Sequence, residues 1–533
     1  MAENKPRIGV HIFIYLIWIS VFFLIISSSF LTRSISLEGL SNSNSVRTDE
    51  GFDSFWTSIV ENSGNNADLP LGYLMEKWAM NTFGDGALFE KVYSLVLFVL
   101  CCILLIRVWR LCGNSRVTGW IPMGILMIVP IVTRTATQNV LELPLTMFIL
   151  MALCCLVRGY FLRRKSDNLY DDHTEASKKY LKRSFVTSAF AGFWLSLAFM
   201  TKGFLGCYLL VFPLVVWIYT RKEKIWKPIV DMLIMLGVWA VIGALMWVFV
   251  PNSHELTSNY IQNYFNNFGQ IATVSSRFWI LWVLFKQLVL PIILFCVICV
   301  IYFRRNNVIR YLFFWKNRET LPESQLRNSV LSWGFFTLGF LGVLPILLSR
   351  NQQDYFIIPM IPMFVLGFAC MLYNICIPAI NGMGKKVSRY LQVSAIVLAM
   401  LAVVVNLNSI NRAGDDSEIL SDVDAMIGLL NMGDTVSVTG EVLQNEKIAA
   451  YLIRYKHITL DTSLSHQYLI SSHDGTLKYL KGGENYERMQ INTQHYHLYA
   501  VKPVMDSINL LTIDVEESPA DSTERIDSLP TKE

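Results

Sequence analysis

Charge is scarce in this chain. Asp, Glu, Lys and Arg make up 16% of its 533 residues, and hydrophobic residues make up 53%; a soluble protein carries about 25% charged residues. With a mean hydropathy of +0.42, this balance excludes a soluble globular enzyme. Cysteine is restricted in place: its ten copies (101, 102, 112, 154, 155, 207, 296, 299, 370 and 376) all lie in or beside hydrophobic stretches. None falls in the polar loop after the first stretch or in the C-terminal segment. Disulfide staples are therefore excluded from both, which is compatible with a bacterial envelope, and no cysteine pair has metal-site spacing. The cysteines read as small apolar packers. Internal repeats and low-complexity blocks are also missing.

What is present is a series of apolar runs near the ~20 residues that cross a bilayer as helix. They fall near 9–31, 92–109, 117–133, 142–158, 185–200, 204–220, 228–250, 279–303, 329–348, 354–376 and 390–407. The class is an α-helical polytopic membrane protein of about 11–13 spans. Alternate connections are basic: Arg107, Arg110 and Arg116; Arg158 to Arg183; Arg221 to Lys227; Arg304 to Arg327; Lys385, Lys386 and Arg389. The connections between them are poor in Lys and Arg. The positive-inside rule places the basic loops, and the N-terminus with Lys5 and Arg7, in the cytoplasm. An odd number of spans then leaves the C-terminus outside. The first run exceeds a signal-peptide core, and its Ser27-Ser28-Ser29 end is a weak cleavage site, so it reads as an uncleaved anchor.

Residues 1–407 are expected to form the membrane domain. Its first outer loop, 32–91, holds an amphipathic stretch from Leu71 to Phe83, with Leu71, Leu74, Met75, Trp78 and Phe83 at helical spacing, suited to the membrane interface. Residues 408–514 alternate helix and strand signals: helix over 419–430, strand over 435–438, helix over 447–455, strands over 458–460 and 495–501. That pattern predicts a small extracytoplasmic α/β or α+β domain. Residues 515–533 are polar and acidic and read as a disordered tail. His466, His473, His495 and His497 lack ligand spacing.

Charged groups at the outer span ends are few: Asp49, Glu50, Lys77, Lys91, Arg134, Glu142, Lys202, Arg350 and Asp354. Charge beside hydrocarbon is costly and by default suggests function. The carboxylates Asp49, Glu50 and Glu142 suit a general base or metal ligands. The cations Lys91, Arg134, Lys202 and Arg350 suit a phosphate.

Five short motifs over 9–376 then carry a resemblance. Thr48-Asp49-Glu50-Gly51 resembles the acidic pair in the first outer loop of the multispanning C-type-fold glycosyltransferases that use lipid-linked sugars, the group of protein O-mannosyltransferases and lipid A aminoarabinose transferases. Asp68-Leu69-Pro70-Leu71-Gly72-Tyr73-Leu74 is similar to that group's Pro-Pro-Leu-Tyr-Tyr-Trp segment, and Phe83-Gly84 to its following turn. Gln138 to Leu145 resembles its Gln-x-Asn-Thr-Leu-Asp-x-Pro-Leu, Ala198 to Gly203 its Ala-x-Leu-Thr-Lys-Gly, and Ser349 to Pro359 its Ser-Lys-Arg-x-x-Tyr-x-Leu-Pro. The chain departs from the pattern in carrying Glu142 for Asp, Lys91 near a usual Arg, and Leu69 for the first proline.

The resemblance implies an inverting transferase that moves a sugar from a polyprenyl phosphate to a hydroxyl or phosphate-bearing acceptor: lipid A, protein Ser or Thr, or an envelope glycan. The site would lie at the outer face of a bacterial inner membrane. Its partners would be that donor, the acceptor and membrane lipids, with no nucleic acid. Breaking the anomeric bond puts negative charge on the leaving phosphate, which fixed cations stabilise. Lys202 and Arg350 are the expected phosphate holders, with Lys91 and Arg134 second and Tyr355 carried over from the motif. Asp49 is the expected base. Glu50 and Glu142 would orient the acceptor, or Asp49 and Glu142 would hold a divalent cation, the only cofactor in question. Two other readings are a transporter or flippase for an anionic or polar solute, which predicts polar mid-membrane residues on broken helices, and a non-catalytic envelope scaffold.

Overall fold

The computed structural model describes residues 8–47, 69–84, 86, 88–168, 175–220, 224–270, 273–306, 322–381, 384–472 and 483–502. The chain forms two compact units, Met1–Gly414 and Asp415–Glu533. Asp49, Glu50 and the 515–533 tail lie outside the described residues.

In the first unit the helices are α1 (Ile8–Ile26), α2 (Leu37–Arg47), α3 (Leu71–Phe83), α4 (Phe89–Leu111), α5 (Trp120–Met127), α6 (Pro130–Thr135), α7 (Glu142–Asn168), α8 (Glu175–Lys202), α9 (Phe212–Thr220), α10 (Trp226–Phe249), α11 (Ser253–Gln270), α12 (Trp279–Asn306), α13 (Glu323–Leu348), α14 (Ile361–Asn381) and α15 (Lys385–Leu407). Among the described residues, nine helical stretches are long and apolar enough to cross a membrane. They differ from the eleven runs expected above in two places.

The first difference is residues 117–133, where the expected single span is broken. Val129 is extended (φ −77°, ψ 116°) because Pro130 follows and disfavours helix in the preceding residue. The break frees a backbone amide in an apolar setting, where it must find a partner. The Ile131 N–H donates to Gln287 Oε1 of α12 at 2.8 Å.

The second is one of count alone: the runs expected at 185–200 and 204–220 fall within one stretch, Glu175–Thr220, 46 residues long, which is two crossings joined by a reversal, as those two runs predict. α8 ends at Lys202, and Gly203 adopts φ +62°, a left-handed value open to glycine. A Cβ there would lie 1.6 Å from the Tyr260 hydroxyl, so no side chain fits. Tyr260 accepts the Phe204 N–H at 3.2 Å. A Cβ at Gly206 would lie 2.9 Å from the Ala198 Cβ; the chain has turned back against its own helix.

α3 has the predicted bounds. Gly72, Glu76, Ala79 and Met80 are buried, while Trp78 and Phe83 of the apolar stripe are 69% and 75% exposed, as a stripe suited to the membrane interface requires. A polar contact decides the rotation: Glu76 points inward, where Ser43 and Asn139 hold it. Of the Trp residues near span ends, Trp109 is fully buried and donates its indole N–H to Thr118 Oγ1 at 3.0 Å. α7, α8 and α10 are pinned by the buried Arg163–Asp231 ion pair, which Ser188 also joins by donating to Asp231 Oδ1 at 3.0 Å. Residues 408–414 stay with the first unit: the N–H groups of Arg33 and Ser34 donate to the carbonyls of Arg412 and Ala413.

The second unit holds α16 (Ser417–Ile427), α17 (Gly440–Gln444) and α18 (Glu446–Lys456) with β1 (Thr435–Val438), β2 (Thr459–Asp461), β3 (Tyr468–Ser471), β4 (Tyr486–Arg488) and β5 (His497–Val501). The sheet order is β2-β1-β3-β5-β4. β1 pairs parallel with β2 and β3, and β5 pairs antiparallel with β3 and β4. The central strand β3 has no predicted counterpart. All four of its residues are buried, so it shows none of the in–out alternation that marks a strand. Asp422 of α16 is buried and accepts the N–H groups of Gln494, His495 and Tyr496 at 2.7, 2.8 and 2.9 Å.

Candidate active site

The segment between α6 and α7 is the foundation of the site. Asn139 adopts φ +50°, a conformation asparagine tolerates better than most residues, and each of its polar groups is used. Its N–H donates to Ser94 Oγ at 2.6 Å, its carbonyl accepts Asn42 Nδ2 at 3.1 Å, and its side-chain amide donates to Ser43 Oγ at 2.7 Å and Glu76 Oε1 at 2.6 Å. Gln138 Oε1 accepts the Ser36 N–H at 2.5 Å. Gly39 rests directly on the Gln138 carbonyl, where a Cβ would come to 2.1 Å. Arg47, at the far end of α2, pairs with Glu90 of α4 at 2.6 Å, both buried. These contacts lock α2 across the start of α7.

Burial lifts the Glu76 carboxyl to about 7; the hydrogen bonds from Ser43 and Asn139 only partly oppose it, and the nearby Glu90 adds to the rise.

With α2 held there, four side chains distant in sequence converge. Glu142, in the first turn of α7, is fully buried, and its Oε1 lies 2.6 Å from Lys202 Nζ in the last turn of α8. Each charge sits at the helix end whose dipole favours it. Glu38, in the first turn of α2, places Oε1 3.8 Å from the same ammonium. The Tyr355 hydroxyl donates to Glu38 Oε2 at 2.5 Å. The ammonium also lies 5.2 Å from the ring centres of both Tyr355 and Phe356, within cation–π range. Lys202 is 7% exposed and Glu38 26%, so the carboxylate that faces solvent is Glu38. Glu142 Oε2 is buried with no hydrogen-bond partner among the described residues.

Tyr355 owes its position to Gln352. That buried amide donates to the carbonyls of Arg277, Ile346 and Ser349 and accepts the Ile280 N–H. It closes the C-terminus of α13 and sets the start of the 3-10 turn Asp354–Met360. The Tyr208 hydroxyl holds the other end of that turn, donating to the Pro359 carbonyl at 2.9 Å.

Of the residues singled out in the sequence, Glu142, Lys202 and Tyr355 come together. Arg134 and Arg350 are exposed; Arg134 reaches Asp354 Oδ2 at 4.0 Å, and the Arg350 carbonyl accepts the N–H and hydroxyl of Thr273. Lys91 is fully buried and donates to the Ser29 carbonyl and, at 3.2 Å, to Thr32 Oγ1. These bonds tie α4 to the exit of the first span. Asp49 and Glu50 lie outside the described residues, as does the metal set built on Asp49. A divalent cation does not fit between Glu38 and Glu142, because the Lys202 ammonium already stands within 4 Å of both carboxylates.

Sequence reasoning missed Glu38, Glu76 and Gln352. Glu38 gave little local signal: it lies in the first turn of the short polar helix α2 and not at the end of an apolar run, where Glu142 lies.

Comparison with known proteins bears on the family and the fold. Residues 80–264, which contain Lys91, Arg134, Glu142 and Lys202, match the family described as dolichyl-phosphate-mannose-protein mannosyltransferase. No curated protein matches the sequence. Among solved structures, ArnT from Cupriavidus metallidurans in the apo state is similar over 91% of this chain and 97% of its own, at 13% identity and a TM-score of 0.52. ArnT from the same organism bound to undecaprenyl phosphate covers 92% and 97%, at 13% identity and a TM-score of 0.49. An oligosaccharyltransferase from Archaeoglobus fulgidus in the apo form covers 87% of this chain and 69% of its own, at 13% identity and a TM-score of 0.43. The chain therefore has the polytopic fold of ArnT. The resemblance and the glycosyltransferase class read from the sequence agree with the matched family.

Proposed function

We propose that this chain is an inverting glycosyltransferase that moves a sugar from a polyprenyl-phosphate donor to a hydroxyl acceptor at the outer face of a bacterial inner membrane. Glu38, Glu142, Lys202 and Tyr355 form its reaction centre. The observation that carries this reading is a single ammonium held between two carboxylates at the end of a membrane helix; Lys202 and Glu142 of that cluster lie within the residues matched by a lipid-phosphate-sugar transferase family.

An apolar cavity of about 370 Å³ lies beside that helix end. Phe199 and Met200, from the last turn before Lys202, line it with Phe204, Trp239, Trp247 and Leu256. Such a wall suits the isoprenoid part of a donor and offers nothing to a polar solute. The donor phosphate then sits toward Lys202, with the exposed Arg134 and Arg350 available from the rim.

In the reaction the acceptor oxygen attacks the anomeric carbon from the face opposite the phosphate. The bond from that carbon to the phosphate oxygen breaks, its electron pair stays on the phosphate, and the acceptor proton passes to a carboxylate. Glu38 is the base in this reading, because it is the solvent-facing carboxylate of the cluster, and Tyr355 orients it. Lys202 stabilises the charge that grows on the leaving phosphate. Glu142 fixes the ammonium in place. Asp49 competes with Glu38 for the role of base. Acceptors with a free hydroxyl, whether on lipid A, protein or glycan, meet the same chemistry.

The test is release of polyprenyl phosphate by the purified protein from a panel of polyprenyl-phosphate sugars. Glu38→Gln should lower turnover by about 10²–10⁴-fold, the usual worth of a general base. Loss of turnover in Asp49→Asn, with Glu38→Gln unaffected, would move the base to Asp49. No release by the wild-type protein with any donor and acceptor would overturn the reading.

A further inference from the structure

A second cavity lies at the other end of the first helices, far in sequence from the cluster above. It measures about 650 Å³, within the ~300–1,000 Å³ range of small-ligand sites. Two stripes line it. Ile8, Ile12 and Tyr15 follow one face of α1, and Ile103, Arg107 and Arg110 follow one face of α4, each at the i, i+4, i+7 spacing that stacks side chains on a helix. Arg116 closes it from the turn after α4.

The wall is built rather than incidental. The Tyr15 hydroxyl donates to the Arg116 carbonyl at 3.1 Å, joining α1 to that turn. Gly119 makes the junction possible, since a Cβ there would come to 2.6 Å from the Tyr15 oxygen and 2.9 Å from Ile106. One half of the cavity is branched aliphatic surface, with Ile8, Ile12 and Ile103 each more than half exposed. The other half carries three guanidinium groups. None of the three forms an ion pair with a carboxylate among the described residues, and no Asp or Glu lines the cavity.

We propose that this cavity binds an anionic phospholipid of the cytoplasmic leaflet. The phosphodiester sits on Arg107, Arg110 and Arg116, and an acyl chain runs along Ile8, Ile12 and Ile103. Three neighbouring cations without carboxylates repel one another, and a bound phosphodiester relieves that repulsion by accepting forked guanidinium hydrogen bonds. A free anion would satisfy the arginines but leave the isoleucines without a partner; a neutral lipid would do the reverse. Charge asymmetry along the chain puts this end of α1 and α4 on the cytoplasmic side, where anionic lipid is recognised by basic pockets between membrane helices.

The test is native mass spectrometry of the full-length protein released from micelles after titration with cardiolipin, phosphatidylglycerol or phosphatidylethanolamine. Wild type should retain the anionic lipids at least ~10-fold more tightly than the zwitterionic one. Arg107→Gln/Arg110→Gln/Arg116→Gln should lose that preference. A matched control, Lys385→Gln/Lys386→Gln/Arg389→Gln, removes three exposed cations of another basic loop and should keep it. Ile12→Trp fills the apolar half without altering charge and should weaken retention by itself, whether or not the triple variant folds. Equal loss in the triple variant and the control would reduce the effect to general surface charge and overturn the proposal. So would no lipid preference in wild type, or displacement of the lipid by millimolar inorganic phosphate.

Discussion

Removing the Lys202 ammonium separates what it does for the fold from what it does for the reaction. Opposite charges 2.6 Å apart attract by about 6 kcal/mol at an effective dielectric of about 20. Desolvating both groups offsets most of that, so the pair as a whole adds little net stability. Breaking it from one side is different, because a charge is left buried. Lys202→Met or Glu142→Gln should therefore cost unequally. Lys202→Met strands the Glu142 carboxylate at zero exposure and should destabilise by about 3–5 kcal/mol. The double variant Lys202→Met/Glu142→Gln leaves no fully buried charge unpaired, only the solvent-facing Glu38 without its ammonium, and should recover most of that loss. Activity should not recover with it. The phosphate would still lack its cation, a deficit of about 10²–10³-fold in turnover. Denaturant or thermal unfolding in detergent reads the first quantity, and polyprenyl-phosphate release reads the second. A double variant as unstable as the sum of the singles would refute the buried pair. A double variant that regains turnover would show that Lys202 acts only by neutralising Glu142.

Gly203→Ala should destabilise by more than ~2 kcal/mol, since it adds left-handed strain to a clash with Tyr260; Tyr260→Phe removes the acceptor of the Phe204 N–H and should cost about 1 kcal/mol. Glu76 should give a pH-dependent stability: its carboxyl stays protonated up to about 7 when folded, against an ordinary 4.5. Stability from this group is thus full below pH 4.5 and falls by about 3 kcal/mol as pH rises to 7. Unfolding curves of Glu76→Gln should flatten over that window, and a slope as steep as wild type would show that another group is responsible. Gln352→Ala should lower turnover through misplacement of Tyr355, and addition of Tyr355→Phe should then cost little more. Independent, fully additive losses in turnover would disconnect the two residues.

Some of the site was legible from local pattern. Lys202 and Glu142 each interrupt an apolar helix end, where an ion is too costly to be accidental, and the Gly203 that follows Lys202 marks the reversal. Lys91 meets the same criterion, and its ammonium donates to the Ser29 carbonyl and Thr32, partners that no spacing in the sequence ties to residue 91. Glu38 does not meet it. Locally it is an ordinary acidic residue in the first turn of a helix, and its meaning comes from Tyr355, 317 positions away. The two faces of α3 differ in the same way: hydrophobic spacing marked the stripe that holds Trp78, while the inward contact of Glu76 with Asn139 on the opposite face carried no local signal.

By itself, the amino-acid sequence determined that this chain crosses a membrane many times, where its helices run, and which helix ends carry ions. These follow from transfer of side chains between water and hydrocarbon, a property of each short segment. Tertiary structure alone decided which of those ions meet. That Glu38, Glu142, Lys202 and Tyr355 meet depends on the Asn139 and Gln138 hydrogen bonds that hold α2 over α7. Those bonds join residues tens to hundreds of positions apart, and only the folded chain brings their donors and acceptors within reach.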